Sequence, residues 1–398
     1  MPNINNLSSV IRAVRDVLLY ILMFVMAIAY HPTIIRMSHL AGYESGTILS
    51  RYIILLFGVV LLFSLSLSAF RNSKLVTTYL IWLIIITIIG GFILAFFQNS
   101  KMISELRSFV IVLGAILIGY DTHLNRERFI FFLLAFCITI LFSGVMQVLY
   151  NIGGFQIEDQ YLADAKNSLG AMLASSSFTM LYLHRVATKK FIRLLLLIGI
   201  LVSVFVILTI RARMAFVALF LVMGLYFFII TRNKNVLLLI IAAVFAVFLM
   251  VIFMPESLRD YVEASFTAGT QEEDFTSGRT VVYYQALSYL AQHPLLGDVQ
   301  QLNRIAWIHN FPLLNLYNYG LLFSWPILVL YVYLLVRVIR FQKHSNPLSR
   351  TCFGATCLLI PYLISMAEPT FPFGPGTVTV FNFILLGMAE REYGTISN

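Results

Sequence analysis

The sequence predicts an all-α polytopic membrane protein of about twelve transmembrane helices, with one long outer loop that contains amphipathic helices. Two observations carry this. Hydrophobic residues make up 60% of the 398 positions and charged residues only 11%, against roughly 25% charged in a soluble domain. The apolar runs are also about 17–24 residues long, enough to cross roughly 30 Å of hydrocarbon as helices. The alternation over about ten residues that marks a β-barrel strand is absent.

Taken in order, the spans fall near 16–34, 50–70, 75–97, 104–120, 128–150, 167–186, 191–210, 213–231, 235–254, 312–340, 351–367 and 373–389. The N-terminal MPNINNLSSVIRAVRD lacks a short apolar core followed by a small-residue cleavage site, so the first span is expected to act as its own signal. An even number of spans puts both termini on one side. Arg12, Arg15, Arg71, Lys74, Arg126, Arg128, Arg185, Arg337, Arg350 and Arg391 share that side, which makes it cytoplasmic by the positive-inside rule. The net charge of +9 follows from this asymmetry and gives no reason to expect nucleic acid. Cys137, Cys352 and Cys357 lie in apolar runs as small core residues, without disulfide or zinc spacing.

One integral membrane domain is therefore expected, with spans one to nine in 1–254, an outer loop at 255–311, and spans ten to twelve in 312–398. Within the loop, Ser277 to Gln292 reads as a helix closed by His293-Pro294 and Gly297. Arg279, Tyr283, Ala286 and Leu290 share one face of it. No fixed-period repeat is visible, and the single long loop breaks any two-half symmetry, which counts against a transporter made of duplicated halves.

Four outer features carry chemistry. In ILTIRARMAF, two spans meet at Arg211-Ala212-Arg213 with almost no loop; the guanidiniums either snorkel to the interface or form a bidentate clamp for phosphate. Ser277-Gly278-Arg279 reads as a capped helix start whose arginine is either solvated or paired with the neighbouring Glu272, Glu273 and Asp274. Nearby Glu272, Glu273 and Asp274 read as a solvated run, since three consecutive acids seldom converge on one ion. Trp307-Ile308-His309-Asn310 puts an imidazole at the outer boundary beside an amide that could orient it; it is either structural or a base for a sugar hydroxyl. Asp164 to Gly170, through Lys166 and Asn167, opens a span that continues with Ser175, Ser176 and Ser177, so this helix faces protein or a wet cavity. Glu368-Pro-Thr-Phe-Pro-Phe-Gly374 lies at the outer end of another span.

Together these segments resemble the O-antigen polymerase/O-antigen ligase superfamily of bacterial inner-membrane glycosyltransferases. The resemblance rests on SGR, an aromatic at Tyr283, then HPLLG, then HN followed by Gly320. LTIRARMAF is similar to the family's serine-arginine-glycine-alanine segment, with Arg213 at the arginine position, Ala212 and Met214 departing from it, and Arg211 extra. Lys166-Asn167-Ser168 resembles another family segment. The match covers roughly residues 160–330.

The resemblance implies sugar transfer on the periplasmic face from an undecaprenyl-diphosphate-linked oligosaccharide, with no cofactor. Arg213 and Arg279 would hold the diphosphate and His309 would activate the acceptor. Arg211, Tyr283, Asn310, Lys166, Asn167 and Glu368 are expected to contribute to substrate binding. No outer acidic pair has metal-ligand spacing, so a metal-independent reaction is expected, and His309 as a base on the face opposite the leaving group makes it inverting. Polymerisation of O-antigen repeat units is favoured over ligation to lipid A-core by the lack of a large extra domain and by the Glu368–Gly374 ending. A lipid-linked sugar flippase is the rival from another class. Partners beyond the bilayer include, as a family expectation, a polysaccharide chain-length regulator.

Overall fold

The computed structural model describes residues 4–32, 47–64, 67–151, 160–231, 279–301, 308–346, 348–374 and 378–397. Among the described residues the regular structure is helical: α1 (Ile4–Ile28), α2 (Thr47–Ser64), α3 (Leu67–Asn72), α4 (Lys74–Phe97), α5 (Lys101–Asp121), α6 (Arg126–Asn151), α7 (Gln160–Val186), α8 (Lys190–Thr209), α9 (Arg213–Thr231), α10 (Arg279–Gln292), α11 (Phe311–His344), α12 (Arg350–Ile364) and α13 (Val380–Ser397). Among the described residues, five stretches are long and apolar enough to cross a membrane by length and composition: Lys74–Phe97, Lys101–Asp121, Arg126–Leu149, Lys190–Thr209 and Phe311–Lys343. The expected ninth span at 235–254, and most of the 255–311 loop, lie outside the described residues.

Helix ends follow local chemistry. Ser73 caps α4 by accepting from the Val76 amide, and Ser349 caps α12 by accepting from the Cys352 amide. α12 and α13 form the inside of the bundle, packed on α5, α7, α9 and α11. Nearly all of α12 is buried, the three cysteines among the core residues as expected.

The serines of α7 are also fully enclosed, and of the two surroundings expected for them it is protein that they face. Asn382 of α13 donates to the Ser175 hydroxyl (3.1 Å) and to the Cys357 carbonyl (3.0 Å).

Several charges gather at one end of the bundle. Arg15 pairs with Asp16 and Asp121, both at 2.8 Å, and Arg337 pairs with Glu390 at 2.7 Å. Arg350 and Arg391 donate to the carbonyls of Leu124 and Tyr120. These are residues that the charge pattern assigns to one side, and they cap neighbouring helices together.

Two expectations about the spans change. The run at 373–389 becomes helical only from Val380, because Phe371 and Phe373 enter the core from irregular backbone. The Phe373 ring lies 4.8 Å from Phe109 and 5.5 Å from Phe311, so its apolar character serves packing rather than a span.

The run at 312–340 is helical but not straight. A straight α-helix would hold Phe311 and Tyr331 about 30 Å apart. Their rings instead lie 5.8 Å apart, and the Phe311 amide bonds Ser365, whose hydroxyl meets that of Tyr331. α11 therefore folds back at Gly320, where φ is 61° and ψ is −176°. This conformation is essentially restricted to glycine.

The fold-back is held by the turn after α10. Asp298 N–H takes the Tyr317 carbonyl at 2.7 Å, which a continuous helix would give to Leu321. Leu321 N–H turns to Pro294 O (2.9 Å) and Leu322 N–H to Leu295 O (3.0 Å). Gly297 and Gly320 meet back to back, and a Cβ on either would collide with backbone of the other strand of the junction. Asn99, between α4 and α5, anchors the turn by donating to Val299 O.

Candidate functional site

The folded-back leg of α11 carries His309 at its start. Asn310 is the N-cap: its Oδ1 accepts from the Leu313 amide at 2.9 Å, and its Nδ2 donates to Met366 O at 3.1 Å. With Phe311 N–H on Ser365 O, these bonds fasten the histidine segment to the end of α12, just before Glu368. Asn310 thus has a structural role, with its amide oxygen and one N–H of its amide nitrogen engaged in backbone bonds.

Glu368 is brought to His309, with Oε2 3.9 Å from Nδ1. That separation is electrostatic contact rather than a hydrogen bond. The Glu368 side chain is 11% exposed and the imidazole 30%, so the pair lies at the wall of the bundle with the ring accessible.

Tyr283 of α10 closes the site from the other side. Its hydroxyl donates to the His309 carbonyl at 2.7 Å. Burial raises the phenol above its ordinary range; Glu368 adds to the rise and Arg279 opposes it. Tyr283 therefore lies within the fields of both charges. Ala286, fully buried, packs with Ile308 and Tyr317, so the face of α10 read from the sequence is the one that faces α11.

Arg279 begins α10 and acts electrostatically on Arg213, which begins α9, cation against cation. Arg213 is held by a tight turn: Arg211 adopts φ 59°, and Arg213 N–H bonds Arg211 O at 3.0 Å. Ala212 points inward onto Gly170 of α7, which places the Asn167–Gly170 segment beside the arginine turn. The small residue at Ala212 is thus a packing requirement.

The structure accordingly brings together Arg213, Arg279, Tyr283, His309 and Glu368. Ser277, Gly278 and Trp307 fall outside the described residues, and of Lys166 only the helical backbone is described. What sequence reasoning missed is the link between Glu368 and His309 and the seat provided by Ser365 and Met366. The capping pattern of Asn310 was the available signal for the latter.

No curated protein matches the chain. Residues 198–298, the stretch that holds Arg211, Arg213, Arg279, Tyr283 and the 293–297 turn, match the family model described as O-antigen ligase, which supports the chain's membership of the O-antigen ligase/polymerase superfamily that its motifs resemble.

Proposed function

We propose that this protein is a periplasm-facing glycosyltransferase of the bacterial inner membrane that polymerises undecaprenyl-diphosphate-linked repeat units of O-antigen or a similar surface polysaccharide. The observation that carries this reading is the convergence of two arginines, an imidazole and a buried carboxylate from four separate segments of the chain. The family match over residues 198–298 supports the same chemistry.

In the proposed reaction the acceptor hydroxyl oxygen attacks the anomeric carbon of the donor sugar. Its proton passes to His309, and the bond from the anomeric carbon to the diphosphate oxygen breaks. Attack opposite the leaving group inverts the anomeric carbon. Arg213 and Arg279 stabilise the negative charge that develops on the departing diphosphate, a contribution of about 3–4 kcal/mol for a preorganised donor. Glu368 faces Nδ1, favours the proton on that nitrogen, and so presents Nε2 to the acceptor. It also stabilises the imidazolium that forms. Its role thus moves from substrate contact to orientation of the base. Tyr283 fixes the backbone that carries the ring.

The test is the glycan ladder of a deletion strain complemented with wild type, Arg279→Ala or His309→Ala. Lipid A-core bearing a single repeat unit in the deletion indicates a polymerase. Naked core with accumulated lipid-linked polymer indicates a ligase instead. Movement of lipid-linked units across vesicles without bond formation indicates a flippase. Near-normal polymer from both substituted proteins refutes the assigned roles.

A further inference from the structure

α10 reads RTVVYYQALSYLAQ, so Arg279 is its only charged residue. One face of the helix is accounted for, with Ala286 buried against Ile308 and Tyr317. The opposite arc carries no charge: Val281, Tyr284 and Leu287, spaced by three, are well exposed, Tyr284 at 74%, beside the uncharged Thr280, Gln285 and Gln292. A helix on a water-facing surface carries charge on its outer arc. This one carries none.

The surface does not stop at α10. Leu295 and Leu296, in the turn that follows, are also exposed, Leu295 at 62%. The amide of Leu322 bonds the Leu295 carbonyl and that of Leu321 bonds the Pro294 carbonyl, so the turn and the upper part of the second leg of α11 are laid edge to edge. Leu321, Leu322 and Trp325 are themselves exposed and start a stripe that continues through Val332 and Ile339 along a stretch long and apolar enough to cross a membrane. That stripe faces acyl chains if the helix crosses a bilayer, and the turn sits at its upper edge.

We propose that α10 and the Leu295–Leu296 turn form a lipid-embedded shelf, occupied on its outer arc by the acyl chains of the adjoining leaflet. α10 then lies in the interfacial layer, its apolar arc a few ångströms into the headgroup–acyl boundary. Its other face presents Arg279 and Tyr283 to His309. The continuity with the α11 stripe identifies the occupant as hydrocarbon. A protein partner would need this patch to be separate from the lipid-facing stripe, and it is contiguous. The proposal does not depend on the chemistry assigned to the site.

The test uses full-length protein in phospholipid nanodiscs, with a nitroxide at Tyr284→Cys, Leu287→Cys or Leu296→Cys. Leu194→Cys, exposed on α8, is the hydrocarbon reference, and Lys343→Cys the aqueous one. The native cysteines are buried, and wild type is labelled in parallel to subtract any signal from them. Collision with oxygen and with a soluble nickel chelate is compared at each site. The expected result is an oxygen-to-nickel ratio at all three positions well above that of Lys343→Cys and close to that of Leu194→Cys. A ratio equal to that of Lys343→Cys overturns the proposal in favour of a water-facing helix. Protection from both collision partners, with spin–spin broadening between labelled copies, overturns it in favour of a second copy of this chain. Three separate positions guard against one substitution that disturbs folding.

Discussion

Gly320→Ala is the sharpest test of how the site is built. The substitution meets two costs at once. The backbone at φ 61°, ψ −176° is essentially closed to any residue with a Cβ, which costs about 1–3 kcal/mol. The new Cβ also collides with the Leu295 carbonyl, so the junction must part and lose the bonds Asp298–Tyr317, Leu321–Pro294 and Leu322–Leu295, each worth about 0.5–1.5 kcal/mol. Together these amount to about 5 kcal/mol, or roughly 10³–10⁴-fold in the opening equilibrium of the junction. The measurement is amide hydrogen exchange in nanodiscs, read on peptides covering 293–301 and 316–324. Protection there falls by about that factor, while peptides of α12 are unchanged, because the cost is local. Polymer formation falls with it, since the leg that carries His309 loses its direction. Gly91→Ala in α4 is the control: nothing lies within 4 Å of its added Cβ, and a helix gains about 0.5–1 kcal/mol from the change. Wild-type protection and polymer in Gly320→Ala would refute the claim that the fold-back positions the histidine.

Arg279→Ala and Arg213→Ala each lower transfer by about 10²–10³ with normal expression, measured with lipid-linked donor and purified protein; Arg211→Ala is milder. His309→Ala costs about 10²–10⁴, and Glu368→Gln less, with a changed pH profile as the sign that it acts through the imidazole. Tyr283→Phe removes one hydrogen bond to the His309 carbonyl and slows transfer by up to about tenfold. The Tyr283 phenol is raised above its ordinary range, so it stays protonated and donating at neutral pH; any contribution it makes to stability is present there and is lost only as pH rises through that raised value. A limb in the activity profile below pH 10 that disappears in Tyr283→Phe would contradict this. Chelation with EDTA leaves the transfer rate unchanged; its loss, restored by a divalent cation, would count against a metal-independent reaction.

The elements that were legible in the sequence are those in which hydrophobicity acts locally. The run at 351–367 became α12, Arg350–Ile364, and that at 75–97 became α4, Lys74–Phe97, because long apolar runs that start at a capping serine leave little choice. The fold-back of α11 was not legible. Gly320 sits inside an apolar run, and its meaning depends on the Leu295 carbonyl that arrives from a different element. The shift of the last span has a similar origin, since Phe371 and Phe373 contribute the same hydropathy in a buried loop as in a helix. In the site, Arg213, Arg279 and His309 stood out as polar residues at the boundary of apolar runs. Asn310 stood out equally, yet a residue that caps a helix looks the same in sequence as one that holds a ligand. The meeting of Glu368 with His309 is a tertiary event between the end of α12 and the start of α11, beyond the reach of any spacing rule.

The opposition of Arg213 and Arg279 bears on the end of the catalytic cycle as well as on its chemistry. Two like charges held near each other gain most from the anion with the greatest charge. On the proposed chemistry the spent carrier carries one more ionisable oxygen than the loaded one. The same pair that eases bond cleavage then retains the emptied lipid, and its departure governs how fast the next cycle begins.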